Sequence, residues 1–429
     1  MAARPPIKGR RLLRLAGMTA GVATGWAGAQ LRSAFRGEDT QSEIQAAFLR
    51  ASGLRIASTL GDLKGAAMKL GQMASLTSDY LPPELITALS ALQRQAPPMD
   101  WEVIEAQIVA ELGAPPERLF AWFDREPFAA ASIGQVHRAR TDDGVEVVVK
   151  VQYPGVDEAV DSDLAQLRMA LRFGRLALDK EAIDGLFGEM RERLHEELDY
   201  CVEADHVRLF RDLRAGDAHL VLPEVVAERS SARVLTLTFV DGEPLSAVAT
   251  WDEATRRVIA ERLTRMFLSQ LFVHRALHGD PNPANFAFRP DGTIVIYDFG
   301  SVRRYEQAWV QGAARGIRAS RLRDPVALDQ ALIDLGMRDP TREPPVELYD
   351  VLLDIYAPML TVGAPARWVG PEVVDRILPL VPKLLGHARG FQPTPEIAIL
   401  KRAAAGHFEN LKTIGAPVFL ADLLAEYGA

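Results

Sequence analysis

Residues 278–285 read His-Gly-Asp-Pro-Asn-Pro-Ala-Asn, and residues 298–300 read Asp-Phe-Gly. Asp280 and Asn285 keep the spacing of the H-R-D-x-x-x-x-N loop, in which the aspartate orients the attacking hydroxyl or water. In the same pattern, the asparagine and the D-F-G aspartate hold the Mg²⁺ ions that bridge the phosphates. The two stretches therefore predict a phosphoryl-transfer centre with Asp280 as its catalytic residue and with Asn285 and Asp298 as metal ligands. The alternative is that Asp280 and Asn285 only cap turns beside the neighbouring prolines.

The segment between these stretches favours a β-hairpin. Apolar β-formers at residues 286–288 and 293–297 flank a Pro-Asp-Gly turn at residues 290–292. Such a hairpin would bring Asn285 and Asp298 together on one metal ion.

A second hairpin upstream is predicted to hold the phosphates. Residues 129–136 fall in register with G-x-G-x-x-G-x-V, with alanine where the first two glycines would sit, and residues 147–150 fill the V-A-I-K position. Between them, the Asp-Asp-Gly run at 142–144 is typical of a hairpin turn. A Cβ obstructs the close phosphate approach that glycine permits, so nucleotide should be held differently here. The alternative for the alanine run is a small-residue packing surface or a helix start. The predicted nucleotide-binding residues are Ala129, Ala130, Ala131, Ser132, Ile133, Gly134, Gln135, Val136 and Lys150.

Two further elements complete the predicted organisation. Residues 233–240 read as a strand, and in a kinase-like fold it enters a hinge whose backbone around Phe239 and Val240 would meet the adenine edge. Residues 101–112 are predicted to form a helix. The predicted segments are a basic, membrane-proximal segment at 1–40, a helical extension at 41–100, an N-lobe at 101–240 and a C-lobe at 241–429.

Five motifs occur in the order found in the UbiB family of atypical, protein-kinase-like proteins, which the chain resembles from about Arg10 to beyond Arg303. The Asp-Pro-Asn form of the catalytic loop and the N-terminal glycine repeat are most similar to the coenzyme Q group of this family. The motifs are Lys69-Leu70-Gly71-Gln72, AAASIGQVHRA at residues 129–139, VVVKVQYPGV at residues 147–156, Glu197-Leu198-Asp199-Tyr200 and the loop at residues 278–285.

The resemblance implies an α+β, bilobal protein-kinase-like fold with an N-terminal helical extension packed over the active-site cleft. It implies that Lys150 is the nucleotide lysine and that Glu203, on helix C, is the carboxylate that pairs with it. The other residues that the resemblance places at the site are Lys69 and Gln72, of the family's KxGQ motif, and Glu197 and Asp199, of its ExD motif.

The resemblance also implies what the site binds and where it works. The expected cofactors are ATP or ADP and Mg²⁺, and the expected role is in isoprenoid quinone (ubiquinone) biosynthesis at a membrane surface. Expected partners are membrane lipid, quinone intermediates and quinone-biosynthesis proteins, with a cytoplasmic location peripherally on the inner face of a membrane. The arrangement that the resemblance implies suits an ATPase or small-molecule kinase better than a protein kinase. The A-P-E element that follows D-F-G in protein kinases is also missing, so there is no sign of their activation segment. Two alternatives stay open: a small-molecule phosphotransferase of the aminoglycoside or choline kinase type, and a nucleotide-regulated lipid-binding scaffold.

The N-terminal segment suggests membrane contact. Residues 15–31 carry no charge, follow a basic start, and contain Gly17, Gly21 and Gly25 at every fourth position. This spacing lets two helices approach closely in a membrane, so a homodimer through these glycines is expected. The stretch is weakly apolar for a full span, which favours peripheral contact with anionic headgroups. The alternatives are an export signal cleaved after Ala29 and a soluble packing helix.

Composition sets outer limits on the function. With 429 residues, 48% of them hydrophobic, the chain can bury a core large enough for two lobes or more. The net charge of −8 argues against nucleic-acid binding, which needs a basic face. Cys201 is the single cysteine, which excludes an intramolecular disulfide and a cysteine-based zinc site.

Overall fold

The structure is a computed structural model that describes residues 98–131, 133–157, 198–356, 359–366, 390–391 and 394–429, and residues 161, 164, 188, 191 and 195 singly. Unit 1 comprises the described residues up to Asp205 together with Glu224–Phe239, and unit 2 comprises those of His206–Pro223 and Val240–Ala429. The predicted segment 1–40 and residues 41–97 of the helical extension lie outside the described residues. The residues with predicted roles in that part are Lys69, Gln72, Gly17, Gly21 and Gly25.

Strands and helices are interspersed up to Arg304, and only helices follow that residue in the described part of the chain. The strands are β1 Trp122–Phe123, β2 Ala129–Ala130, β3 Gly134–Arg140, β4 Glu146–Gln152, β5 Leu220–Val221, β6 Val234–Thr238, β7 Ala276–His278, β8 Phe286–Phe288, β9 Ile294–Ile296 and β10 Val302–Arg304. The helices are α1 Trp101–Leu112, α2 Pro116–Leu119, α3 Tyr200–Leu213, α4 Leu245–Val248, α5 Glu253–Phe272, α6 Gln307–Leu322, α7 Pro325–Asp334, α8 Val346–Tyr356, α9 Pro395–Ile414 and α10 Leu420–Glu426.

Unit 1 is built on an antiparallel sheet. The strand order is β1-β3-β4-β6, and β2 adds to the sheet by pairing with β3. Alternation along β4 buries Val147, Val149 and Val151 completely. Gly144, with φ of +87°, lies in the turn between β3 and β4, where a left-handed residue is needed. The hairpin predicted upstream of Lys150 is thus confirmed.

Helix α1 packs against β4 and β6 of this sheet. It ends at Gly113, whose φ of +77° stops the helix, and it buries Ile104 and Ile108 completely. The rings of Trp101 and His137 pack at 5.7 Å, and burial lowers the pKa of His137, which keeps that ring neutral. The helix predicted at residues 101–112 is therefore confirmed.

Unit 2 is mainly helical and contains two small sheets. Strand β7 pairs antiparallel with β10, while β9 pairs antiparallel with β8 and parallel with β5. Gly292, with φ of +82°, closes the β8–β9 turn, so the second predicted hairpin is also confirmed. Helix α5, capped by Asp252, packs against β7 and α9. The chain is α+β, as predicted. No described helix has the length and apolar character needed to cross a bilayer.

Candidate functional site

Lys150 and Glu203 form a buried ion pair in unit 1. Lys150 lies on β4 and Glu203 on α3, with the Nζ and Oε1 atoms 2.5 Å apart. Their side chains are only 10% and 6% exposed. Burying two charges costs desolvation energy that their attraction often fails to repay, so such a pair is weak evidence for stability. A buried charge that is held by a specific partner is a candidate for a functional role.

Asp199 caps the helix that carries Glu203. Its Oδ1 accepts a hydrogen bond from the backbone N–H of Cys201 at 2.9 Å, and its carbonyl accepts from the N–H of Val202 at 3.0 Å. These are the contacts of an N-cap residue, and they fix the point at which α3 begins. Glu197, the other predicted residue of the ExD motif, lies outside the described residues.

The first half of the alanine-rich loop is extended and exposed. Ala129 and Ala130 form β2 and are both exposed. Ala131 continues the loop, and its N–H donates to the carbonyl of Gly134 at 3.0 Å. Ala129 and Ala130 therefore form neither a helix start nor a packing surface, which were the alternatives for the alanine run. Ser132 lies outside the described residues.

The second half of the loop is built into the sheet. Ile133 and Gln135 are buried, and Gln135 Oε1 accepts a hydrogen bond from the Met99 N–H at 3.0 Å. A Cβ on Gly134 would lie 2.1 Å from the carbonyl oxygen of Val151. Only glycine therefore lets β3 approach β4 this closely. The side chains of this part of the loop pack within unit 1.

The face of the sheet that carries Lys150 has a partly exposed apolar surface. Val136 lies opposite Lys150 in the β3–β4 register, and Arg138 follows two residues later on the same face. The Arg138 guanidinium stacks over the Phe239 ring at 4.2 Å from its centroid. Phe128, 55% exposed, meets the same ring edge-on at 6.2 Å. This surface has the aromatic and aliphatic character that a nucleotide base needs.

The predicted hinge residues Phe239 and Val240 follow β6 directly. The Phe239 N–H donates to the Glu146 carbonyl at 2.8 Å within unit 1. The Val240 carbonyl accepts from the Tyr297 hydroxyl at 3.0 Å within unit 2. Burial, and then the charge of Asp241, raises the pKa of Tyr297, so its hydroxyl stays a donor. No residue in the described part of the chain accepts from the Val240 N–H, which leaves a backbone donor of the kind that a base edge uses.

His278 connects the predicted catalytic loop, residues 278–285, to the D-F-G stretch in unit 2. It ends β7 and is fully buried, and its N–H donates to Gln270 Oε1 at 3.0 Å. Its Nε2 lies 2.5 Å from the carbonyl oxygen of Asp298. The ring packs edge-on against Phe286 and Phe299 at 5.6 and 5.5 Å. The start of the loop is therefore held by both hydrogen bonds and packing.

Asn282 is the residue that caps the turn in this loop. Its side chain accepts from the Ala284 N–H at 3.1 Å, and its carbonyl accepts from the Asn285 N–H at 2.9 Å. Asn285 directs its side-chain amide to Asp280 instead, with Nδ2 and Oδ2 2.9 Å apart. These contacts argue against the alternative that Asp280 and Asn285 only cap turns, because Asn282 makes the capping contact. Because the Asn285 NH₂ group donates to Asp280, its Oδ1 is left as an acceptor.

The β8–β9 hairpin places Asn285 and Asp298 at one end. Strand β8 begins directly after Asn285, β9 ends two residues before Asp298, and the Tyr297 N–H donates to the Asn285 carbonyl at 2.9 Å. Asp298 Oδ1 accepts from the Gly300 N–H at 3.0 Å. Amide and carboxylate oxygens suit Mg²⁺, which takes one or two protein ligands beside waters and substrate phosphates. The donor set therefore fits the predicted metal.

Helix α3 also anchors the D-F-G phenylalanine within unit 2. Phe299 is fully buried, and its ring packs against Phe210 at 5.1 Å. His206 Nδ1 lies 2.9 Å from the Phe299 carbonyl oxygen. These contacts fix the backbone on the C-terminal side of Asp298.

Sequence reasoning missed one residue that contacts the predicted catalytic aspartate. Arg402, on α9, places Nη2 3.0 Å from Asp280 Oδ1. It lies 122 residues after Asp280 and belongs to no short motif. His206 was missed for the same reason. Arg138 lies within the AAASIGQVHRA motif, but the motif gave it no role, and its contact with Phe239 is long-range.

Comparison with known proteins places this geometry in a family. The profile described as "ABC1 atypical kinase-like domain" matches residues 91–330, which include Lys150, Glu203, Asp280 and Asp298. The chain belongs to the ABC1 atypical kinase-like family. Two relatives of this ABC1-family chain are the "Atypical kinase coq-8, mitochondrial" of Caenorhabditis elegans, 33% identical, and the "Atypical kinase COQ8, mitochondrial" of Saccharomyces cerevisiae, 31% identical.

Coverage differs between these relatives. Each match covers 87% of the ABC1-family chain, with 75% of the yeast protein but only 50% of the Caenorhabditis protein. The chain thus spans half the length of the Caenorhabditis relative. Both matches confirm the resemblance to the coenzyme Q group of the UbiB family.

A solved structure is similar as well. The complex of Rv3197 with erythromycin from Mycobacterium tuberculosis is 28% identical, with a TM-score of 0.62, over 89% of this chain and 97% of that chain. Together with the family match, it confirms the predicted α+β, protein-kinase-like fold class.

Proposed function

We propose that this chain is an atypical kinase or ATPase that binds Mg-ATP or Mg-ADP and supports isoprenoid quinone biosynthesis at a membrane surface. The observation that carries the proposal is the buried ion pair of Lys150 and Glu203. Protein kinases need a lysine–glutamate pair of this kind in place for phosphoryl transfer. Apolar residues of similar volume would pack equally well or better, so stability alone gives no reason for the two charges.

The predicted catalytic and metal-binding residues of unit 2 have separate roles in the proposed reaction. Asp280 orients the attacking water or hydroxyl, while Asn285 and Asp298 would hold Mg²⁺ through their side-chain oxygens. When bound, the ion neutralises charge that develops on the phosphates. Lys150, in unit 1, would supply a positive charge for the phosphates. The chain's contribution is therefore positioning and electrostatics.

The quinone and membrane parts of the proposal rest on family membership. The motif order of the coenzyme Q group supports a role in ubiquinone biosynthesis, with lipid or quinone intermediates and quinone-biosynthesis proteins as partners. The proposed location is the inner face of a membrane, with the protein bound peripherally from the cytoplasmic side.

The test is Mg²⁺-dependent ATP hydrolysis by the purified full chain, with and without anionic liposomes. Asp298→Asn removes a metal-binding charge and is expected to abolish hydrolysis. Asp212→Asn is the matched control, because Asp212 is an exposed residue on α3. Binding of a fluorescent nucleotide analogue is measured in parallel with each variant.

The outcomes separate the candidate functions. Hydrolysis that increases with liposomes and is lost in Asp298→Asn supports the proposal. Hydrolysis that does not respond to liposomes would contradict the proposed action at a membrane surface. Nucleotide binding without hydrolysis, with or without lipid, favours the scaffold. Transfer of phosphate to an aminoglycoside or choline-type acceptor favours the small-molecule phosphotransferase.

A further inference from the structure

One face of helix α9 packs against the predicted catalytic loop. Arg402 contacts Asp280, Gly406 packs against Pro281, and Asn410 Nδ2 donates to the Pro281 carbonyl at 3.0 Å. These positions are four residues apart, so their side chains form a single stripe along the helix. The helix and the loop are therefore docked along several turns, of which the Arg402 contact is one.

The docking itself does not depend on Arg402. A Cβ on Gly406 would lie 2.1 Å from Cγ of Pro281, so the helix backbone already lies against the proline ring. Asn410 is buried and adds its hydrogen bond one turn further on. Both contacts would hold α9 on the loop if the guanidinium were removed.

With the Arg402 contact, each oxygen of the Asp280 carboxylate accepts a hydrogen bond. Asp280 Oδ1 receives Arg402 Nη2 at 3.0 Å, and Oδ2 receives Asn285 Nδ2 at 2.9 Å. The two donors come from different elements, so rotation of the carboxylate about χ1 or χ2 would break at least one contact. An ionised carboxylate can accept about four hydrogen bonds, which leaves capacity for a nucleophile.

Exposure argues against a purely stabilising role. The side chains of Arg402 and Asp280 are 28% and 22% exposed. Ion pairs that water reaches contribute little to folding stability. A large effect of Arg402 on turnover would therefore report on the orientation of Asp280 and not on the fold.

We propose that Arg402 is a positioning residue that fixes the Asp280 carboxylate for the attacking water or hydroxyl. The proposal rests on the proposed function, because it assigns Arg402 to the same phosphoryl-transfer step. It makes α9 a part of the catalytic apparatus, although α9 carries none of the family motifs. Arg402 acts through Asp280 and makes no required contact with the nucleotide.

The experiment is a double-mutant cycle on the full chain, with kcat and KM for ATP and nucleotide affinity as readouts. The variants are Arg402→Gln, Arg402→Lys, Asp280→Asn and the double variant Arg402→Gln/Asp280→Asn. The matched control is Lys412→Gln, which removes an exposed positive charge from the same helix. Melting temperature is recorded for every protein.

The proposal predicts a specific pattern. Arg402→Gln lowers kcat by about tenfold or more, since a small displacement of a catalytic group has effects of that size. KM and nucleotide affinity stay within about threefold, and the melting temperature shifts by no more than about 2 °C. Arg402→Lys restores part of kcat, and Lys412→Gln matches the unaltered protein. In the Asp280→Asn background, Arg402→Gln has no further effect on the residual rate.

Three results would overturn the proposal while leaving the proposed function intact. They are an unchanged or higher kcat in Arg402→Gln, an effect confined to KM, and a loss that persists in full in the Asp280→Asn background. The last result would mean that Arg402 acts directly on the phosphates. If the unaltered protein fails to hydrolyse ATP, the proposed function and this proposal are both overturned.

Discussion

The Lys150 Nζ and Glu203 Oε1 atoms lie 2.5 Å apart in unit 1, with both side chains almost entirely shielded from water. Lys150 is 53 residues before Glu203 in the chain, so the pair joins β4 to α3. Because a buried ion pair often stabilises a fold less than apolar side chains of similar volume, stability and function should respond differently to its replacement.

Replacing both partners of this pair separates the two roles. The double variant Lys150→Met/Glu203→Leu is expected to be as stable as the unaltered protein or more stable by about 1–4 kcal/mol, because both charges of the pair are removed together. It should have no ATP hydrolysis. Glu203→Leu alone should lose about 3–5 kcal/mol, because it leaves the Lys150 charge without this carboxylate. Urea unfolding and hydrolysis assays measure the two effects. A double variant that unfolds as easily as Glu203→Leu would show that the pair is structural.

Gly134 is expected to be intolerant of a side chain. In Gly134→Ala the new Cβ would lie 2.1 Å from the Val151 carbonyl oxygen, which is fixed in β4. The expected loss of unfolding free energy is about 1–3 kcal/mol or more, as for overpacked cores. Gly316→Ala, on α6, is the control, because its Cβ would meet Ala331 Cβ at an ordinary 3.5 Å. That variant should gain about 0.5–1 kcal/mol. Equal effects at both glycines in urea unfolding would contradict the close β3–β4 approach.

Gly406→Ala tests the docking of α9 on the catalytic loop. The added methyl would overlap the ring of Pro281 and push helix and loop apart. We expect kcat for ATP hydrolysis to fall by about tenfold or more, since displacing the loop moves Asp280, with nucleotide affinity little changed. Ala405→Ser, at the exposed neighbouring position, is expected to leave kcat unaltered. A normal kcat in Gly406→Ala would show that the loop does not depend on its contact with the helix.

His407 should make stability depend on pH. Its ring packs against Phe267 and Phe286 at 4.8 and 5.7 Å, and neither ring nitrogen has a hydrogen-bond partner within the described residues. Burial, and then the nearby His278, lowers its pKa to about 3. An unfolded histidine titrates near pH ~6.5, so below that pH the unfolded chain gains a proton that the folded chain excludes. Stability is therefore expected to decrease as pH falls from about 6.5 towards 3.

The measurement compares urea unfolding at pH 7 and pH 5. The unaltered protein should lose about 2 kcal/mol more stability over this interval than His407→Leu, which carries no titrating group at that position. His219→Gln, at an exposed position, should keep the full pH dependence. The burial of a neutral His407 would be disproved by identical pH dependence in His407→Leu and the unaltered protein.

Local sequence signals were sufficient for the hairpins and for α1. The turns at Gly144 and Gly292 need positive φ and are bounded by apolar strands, so short-range chemistry determines both. The predicted strand at 233–240 proved shorter, as β6 covers Val234–Thr238. The last two predicted residues, Phe239 and Val240, follow the strand, although the Phe239 N–H still donates a hydrogen bond to the neighbouring strand at Glu146. Strand ends are set by the neighbouring strand, which sequence patterns do not contain.

Contacts between distant parts of the chain could not be predicted in the same way. Glu203 was assigned from the family resemblance, because no spacing rule links it to Lys150. No sequence signal pointed to Arg402, since its partner Asp280 lies 122 residues earlier in the chain. The loop pattern alone predicted that Gln135 binds nucleotide. The structure buries this side chain, because of the position of α1 and the register of β3, and the loop pattern contains neither. Tertiary packing determines each of these contacts, and hydrophobic periodicity and short motifs carry no information about tertiary packing.

Helix α9 lies outside residues 91–330, the part that the family profile matches. A fragment cut to the matched boundaries would keep Lys150, Glu203, Asp280, Asn285 and Asp298 and would still be recognised as a complete domain. It would also expose the apolar side of the catalytic loop that α9 covers. A fragment chosen by the matched domain alone would therefore lack the helix that packs on Pro281 and contacts Asp280, and the full chain is the appropriate unit for expression and for genome surveys.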